Sequence, residues 1–405
     1  MPHPTTPAIA RHVPDSERRA RLAIRHALAP AARVDSPEAA TRAMTVMHAT
    51  EPATVYLSYW ARTRGVTVAD VDRALFTDRS LVKQLAMRRT LFVFPRDLLP
   101  AATSSASARV ATTERTRLAK QVVSTGIADD GQHWLDLARS TILTTLDGTA
   151  DGLTTAEIRT AIPLLDIPPA PAGSAPLGTS QLLVYLGANG DVLRGTNTGH
   201  WRTSRPRWST NRHWLGEDLP TLPAQEGYRE LVNRWLYSFG PGTEADLAWW
   251  LGSTKAAVRA ALSDLNAVPV SLDGGGIGWL LPDDLDEVAN PDPWVALLPV
   301  LDPTTMGWQA RDFYLGPHSD AVFEQRGNAG TTAWVNGRIV GCWVQDEHGV
   351  VFVHLVEDVA PADQLALDAE AKRLTRWLAG ERVGTGYWSR AMKDAIEVLT
   401  PASPT

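Results

Sequence analysis

The sequence predicts an α+β protein built from three successive helical units, each closed by a short strand pair, and a strand-rich C-terminal part. Three observations carry this reading. Helical spacing with start signals recurs in three segments, each segment ends on β-prone runs, and from residue 294 strands and turns dominate. Helices followed by a hairpin form the pattern of a winged helix-turn-helix, so the expected architecture is three tandem winged-helix domains and a C-terminal small β-barrel. A chain of 405 residues with 44% apolar side chains has material for several cores. The expected boundaries are 16–125, 126–222, 223–290 and 291–405. Helical repeats with no DNA function are the alternative to winged helices.

The first fifteen residues, rich in Pro and His, are expected to be disordered, after which SERRARLAIRHALA has helical spacing and a basic face. Ser36-Pro37-Glu38 reads as a helix start, with serine as cap and proline at the first helical position. VTVADVDRALFTDRSLVKQLAM reads as a capped helix followed by a further apolar-periodic stretch, and RRTLFVFP alternates as a strand. In the second segment LTTAEIRTAI opens a helix-turn-helix, the Pro- and Gly-crowded stretch 167–178 is a loop, TSQLLVYLGANG is helical, and DVLRG and HWRTS are strands. In the third, YRELVNRWLYSFGPGTEADLAWWLG reads as helix, turn and helix, KAAVRAALSDL as another helix, and VPVSL with GIGWLL as a hairpin across a Gly-rich turn. Trp249 and Trp250 are neighbours on one helix and cannot both face inward, which puts one of them at a domain interface. WVALLPVLDP, AVFEQ and TTAWVNGRIVGCWVQDEHGVVFVHLV supply the C-terminal strands, closed by a helix at 363–379.

Charge separates the segments. Residues 1–120 carry 19 Lys and Arg against 10 Asp and Glu, a net of +9, whereas 121–290 carry 11 against 20 and 291–405 carry 9 against 15. The overall −6 therefore hides a basic N-terminal third, suited either to a polyanion or simply to solvent. A second basic stretch, RGTNTGHWRTSRPRWSTNRH at 194–213, interleaves arginines with tryptophans and holds no carboxylate. Such a stretch grips phosphates and stacks on bases, or forms a surface hairpin whose tryptophans pack on the core.

Several classes fall away. A single cysteine, Cys342, excludes an internal disulfide framework and any multi-cysteine metal site, and its apolar neighbours make it a packed thiol. His200, His213 and the scattered carboxylates lack metal-ligand spacing, and Gly274-Gly275-Gly276 is a turn rather than a nucleotide loop. No cofactor and no metal are expected. Without a run of about 18 apolar residues or a signal-peptide core, the expected location is the cytoplasm, with no membrane anchor. No coiled-coil or dimer helix stands out, so a monomer is expected.

The stretches MHATEPATVYLSYWAR, AMRRTLFVFPRDLLP, LRGTNTGHWRTSRPRWSTNRHWLG, WLYSFGPGTEADLAWWLG, LLPVLDPTTMGWQARDFYL and WVNGRIVGCW occur in an order and spacing that resembles one family. It is the bacterial winged-helix DNA-binding family that includes the AlkZ-type, azinomycin-resistance DNA glycosylases, and the resemblance spans most of residues 20–380. It implies three winged helices around a concave surface for double-stranded DNA, a β-barrel, and excision of alkylated purines, including those in interstrand crosslinks. The glycosylases carry Gln-x-Gln or Gln-x-Asp, usually followed by Asp-Pro. Aligned on Glu51-Pro52, this chain has His48-Ala49-Thr50, so both catalytic positions are changed.

The chemistry asks little of an acid. An N7- or N3-alkylated purine leaves a cationic nucleotide as a neutral base, so the site must stabilise an oxocarbenium-like sugar and place a water. His48 is expected to orient or deprotonate that water, Thr50 to hold it, and Glu51 to serve as base or electrostatic stabiliser. The plainer alternatives are a packed histidine and a turn-capping hydroxyl. Arg62, Arg88, Arg89, Arg202, Arg205, Arg207 and Arg212 are the expected DNA-binding residues, with Arg88 and Arg89 alternatively only bordering a strand. Two functions stay open. One is a monofunctional DNA glycosylase with a variant motif; the other is an inactive DNA-binding protein on the same scaffold, acting as a lesion sensor, a toxin-resistance factor or a transcriptional regulator.

Overall fold

A computed structural model describes residues 8–167 and 177–399. It is a mixed α+β structure, about half helical, with small separate sheets. The chain enters along the third segment: His12–Val13 pairs in parallel with Ser271 and Leu272 of strand Val268–Leu272. The expected disorder of the first fifteen residues is thus corrected for 8–15, while 1–7 lie outside the described residues. Val13 is fully buried with Val270, Leu272 and Leu280, which gives this segment a reason to order. Arg11 adds a two-pronged ion pair to Glu17, and His12 bonds Ser271 and Asp273.

Local capping explains several helix starts. Ser36 accepts from the Ala39 amide at the head of Pro37–Ala43, and Thr67 with Asp70 forms a reciprocal cap on Val68–Asp72. The same reciprocal cap is built by Thr154 with Glu157 and by Thr243 with Asp246. Helix Pro52–Arg62 begins instead with proline at its first position, directly after Glu51. The strands of the first segment form a three-stranded antiparallel sheet in the order Met47–His48, Leu91–Pro95, Leu81–Leu85, with His48 opposite Phe92 and Phe92 opposite Gln84.

The second segment holds helices Thr155–Ala161 and Thr179–Ala188 and the hairpin Val192–Asn197 with Pro206–Thr210. The loop expected at 167–178 falls almost wholly on 168–176, outside the described residues. HWRTS, expected as a strand, is the tip of the hairpin. The Asn197 amide donates to the carbonyls of Gly199, His200 and Thr203 at 3.2, 3.3 and 2.9 Å, which ties residues 199–203 into a turn. Helices Ala106–Ser124 and Gly131–Asp147 join this segment's core through Leu118, Val122, Trp134 and Ile142.

The third segment follows its expected order: Ala224–Phe239, Glu244–Leu251, Lys255–Asp264, then the hairpin Val268–Leu272 with Ile277–Leu280. Gly274 and Gly275 in its turn both have positive φ, which glycine adopts without strain. Trp250 is buried, and Trp249 lies half-buried beneath Arg88 of the first segment, so the two indoles divide as expected.

The C-terminal barrel is not formed. Strands Val295–Leu298, Thr332–Val335, Arg338–Gln345 and Val351–Leu355 make an open antiparallel meander whose first and last strands do not meet. Helix Pro361–Leu378 packs on both of those edge strands and covers what closure would otherwise have to bury. Of AVFEQ, expected as a strand, Ala321 and Val322 end the short helix Ser319–Val322, and Phe323 makes a single antiparallel bridge to Ala329. One large core runs through residues of the first, third and C-terminal segments.

Candidate functional site

The altered motif lies where strand Met47–His48 hands over to helix Pro52–Arg62. Pairing with Phe92 fixes the backbone of His48, and the imidazole meets the Phe92 ring edge-on at 5.5 Å. Only 7% of His48 is exposed, its Nδ1 is buried without a partner, and the ring makes no hydrogen bond among the described residues. Burial, then the nearby Arg88 charge, lower its pKa to about 3, against a weaker opposing pull from Asp302. The ring is therefore neutral at any physiological pH. It can orient a water, but a base this weak does not deprotonate one, which narrows the role expected for it.

Thr50 is exposed at the junction, and Glu51 is half-buried. Burial raises the Glu51 pKa above the usual carboxylate value, opposed by hydrogen bonds from the Gly386 amide and the Thr385 hydroxyl. Its side chain borders a cavity of about 180 Å³, lined mainly by apolar groups such as Leu57, Trp343, Trp388 and Met392. Of the three motif residues, Glu51 is the stronger base and Thr50 the most open to solvent.

The arginines separate sharply. Arg62 is not on the surface: with no exposed side-chain area, it forms a two-pronged ion pair with equally buried Asp302 at 2.6 and 2.8 Å and donates to Thr304 Oγ1. The expected phosphate contact is corrected to a structural one, because Ser58 and Arg62, one turn apart on the helix, both face Asp302 of the C-terminal segment. Arg88 and Arg89 form the turn between strands Leu81–Leu85 and Leu91–Pro95, both at positive φ (53° and 59°), a conformation uncommon for non-glycine residues. The Arg88 guanidinium lies 4.0 Å from the Trp249 ring centre, whereas Arg89 is exposed, 3.6 Å from Glu114.

In the hairpin, Arg205 is exposed and makes no ion pair among the described residues, and Arg212, 76% exposed, is a loose 3.8 Å from Asp218. Arg207 is occupied by the Gly152 carbonyl and Glu157. Arg202 pairs with Glu381 at 2.5 Å and donates to the Arg382 carbonyl, while Trp201 packs on Tyr56 and Trp377. The hairpin tip is thus docked on the end of the C-terminal helix and the segment after it.

Two basic groups beside these escape the sequence reading. Arg311 lies 5.2 Å from the Trp249 ring centre and 4.3 Å from that of Phe323. Lys83 packs near Tyr56 and Phe76, and burial lowers its amine to about 8. A basic residue within an aromatic run, as in WQARDFYL, was the available signal for Arg311; Lys83 offered none. Among the described residues no cluster of three or more His, Cys, Asp or Glu side chains is arranged to hold a metal ion, and no helix is long and apolar enough to cross a membrane.

Comparison with known proteins gives the frame for this geometry. The chain is similar in structure to the Streptomyces sahachiroi DNA glycosylase AlkZ, with a TM-score of 0.74 and 20% sequence identity over 92% of this chain and 98% of that one. No curated protein matches it in sequence. The family model described as DNA glycosylase AlkZ-like matches residues 41–377, from the helix before the altered motif to the last turn of helix Pro361–Leu378. The chain belongs to the AlkZ-like DNA glycosylase family.

Proposed function

We propose that this protein is a DNA-repair glycosylase that hydrolyses the N-glycosidic bond of N7- or N3-alkylated purines in double-stranded DNA, bulky adducts and interstrand crosslinks among them. The observation that carries the reading is family membership across residues 41–377, which takes in His48, Thr50 and Glu51. Water attacks C1′, the glycosidic bond breaks, and its electron pair neutralises the cationic purine, so the base leaves without an added proton. His48, held neutral, orients the water by a hydrogen bond, and the exposed Thr50 hydroxyl supports it. The Glu51 carboxylate stabilises the positive sugar and takes the proton released by the water. Arg88, Arg89, Arg205 and Arg212 supply phosphate contacts, and Arg202 does so once it leaves Glu381. The protein acts as a monomer in the cytoplasm, on the nucleoid.

A second reading, DNA binding without excision, is favoured by the burial of His48 at a position where the family carries an amide. The two separate on a duplex bearing N7-methylguanine, scored as abasic sites after alkaline cleavage. Product from the wild type, reduced at least about a hundredfold in Glu51→Gln, supports hydrolysis in this site; tight binding with no product supports the second reading.

A further inference from the structure

Arg88 and Arg311 come from distant parts of the chain, the first from the turn after strand Leu81–Leu85 and the second from the segment after Trp308, yet they share one indole, Trp249. Neither makes an ion pair among the described residues. The carboxylates around them are otherwise engaged or turned away: Glu114 pairs with Arg89 and Arg117, Asp246 accepts the Gln309 and Ala310 amides, and Asp312 is exposed. Among the described residues, Arg88 Nε is buried without a partner, and of the Arg311 nitrogens only Nε is bonded, to the Trp308 carbonyl at 2.8 Å.

Two like charges that share one indole repel each other. The Arg311 charge adds to burial in lowering the Arg88 pKa to about 10. The backbone is also shaped for the arrangement, with Arg88 at positive φ and Gly252 beside it, where a Cβ would come within 3.0 Å of Arg88 Cγ. Stacking on an indole fixes the plane of a guanidinium and leaves its outer edge to donate, which suits a tetrahedral oxyanion. The Arg88 charge also reaches His48. The motif is close in the fold, because the Ala49 amide donates to the carbonyl of Leu91, three residues beyond Arg88, at 2.9 Å.

We propose that Arg88 and Arg311 together clamp a single backbone phosphate of the DNA, the one flanking the nucleotide presented to His48, with Trp249 as their common platform. The clamp rests on the DNA-acting function proposed above, but binding alone reads it. Each phosphate neutralised contributes about 0.9 to the slope of log affinity against log salt. The experiment measures that slope for the full chain on a duplex containing a tetrahydrofuran abasic analogue, which cannot be cleaved. The double Gln variant lowers the slope by about 0.9, the share of one phosphate, whereas Arg311→Gln and Arg88→Gln each weaken binding but lose less slope than that because the remaining arginine still neutralises it, and Arg311→Lys keeps the wild-type slope. Arg259→Gln, an exposed arginine paired with Glu244, leaves it unchanged. A double variant that keeps the wild-type slope overturns the clamp, and a loss of about 1.8 in the double variant overturns the single phosphate. Thermal melting accompanies each variant, and Arg88→Gln serves where Arg311→Gln does not fold. A wild type that excises nothing while these slope changes appear refutes the glycosylase reading and keeps the clamp; an active wild type with unchanged slopes does the reverse.

Discussion

Asp302→Asn is the substitution whose cost follows most directly from the structure. Asp302 and Arg62 have no exposed side-chain area and meet at 2.6 and 2.8 Å. Asp302 also accepts from the Ser58 hydroxyl and the Thr304 amide, at 2.8 and 2.9 Å, so its charge is held by four donors. Removing that charge leaves the Arg62 guanidinium unpaired in the interior, a loss of roughly 3–5 kcal/mol. Replacing both partners by apolar residues, Arg62→Met with Asp302→Leu, removes the penalty as well as the pair and costs far less. Urea unfolding followed by tryptophan fluorescence reads both. A loss under about 1 kcal/mol in Asp302→Asn, or a double variant as unstable as the single one, would mean that no uncompensated charge is left in the interior. The folded double variant also keeps the salt slope of DNA binding, because Arg62 touches no phosphate; a fall of about 0.9 would return Arg62 to the interface.

Other consequences concern pH and the docked hairpin. His48 titrates near 6.5 unfolded and near 3 folded, so its stabilising contribution is complete above pH 6.5 and is lost as pH falls. By pH 5 the loss is about 2 kcal/mol, with buried His26 acting in the same direction, and His48→Phe flattens that part of the urea-measured profile. Excision falls at acid pH through a midpoint above the usual carboxylate value, set by Glu51, and Glu51→Gln removes that limb from single-turnover rates. Glu381→Gln frees Arg202 and tightens DNA binding at low salt by up to about fivefold, the worth of one surface ion pair; unchanged affinity would mean that Arg202 does not reach DNA.

Sequence legibility followed the range of the interactions. The helix starts at Ser36 and in VTVADVD were readable because a cap is decided within three residues. Arg62 was misjudged because its partner is 240 positions away, and an arginine in YLSYWAR looks like any basic helix face. Residues 8–13 looked disordered because what orders them is a hairpin near residue 270. HWRTS alternates like a strand, but Asn197 ties off the turn before it can pair. Closure of the C-terminal sheet depends on how the helix at 361–378 spans its two edges, which no local pattern announces. At the site, the motif change was plain in the sequence, whereas the burial that makes His48 neutral depends on its pairing with Phe92 and on Arg88.

Excision of N7-methylguanine from a duplex oligonucleotide, compared between wild type, His48→Ala and His48→Gln, decides whether this site hydrolyses the glycosidic bond. Abasic product is expected from the wild type, little from His48→Ala, and recovery in His48→Gln, where an amide again orients the water. No product from the wild type on this lesion, on a bulky N7-guanine adduct or on a nitrogen-mustard crosslink, with DNA binding intact, would contradict hydrolysis at this site.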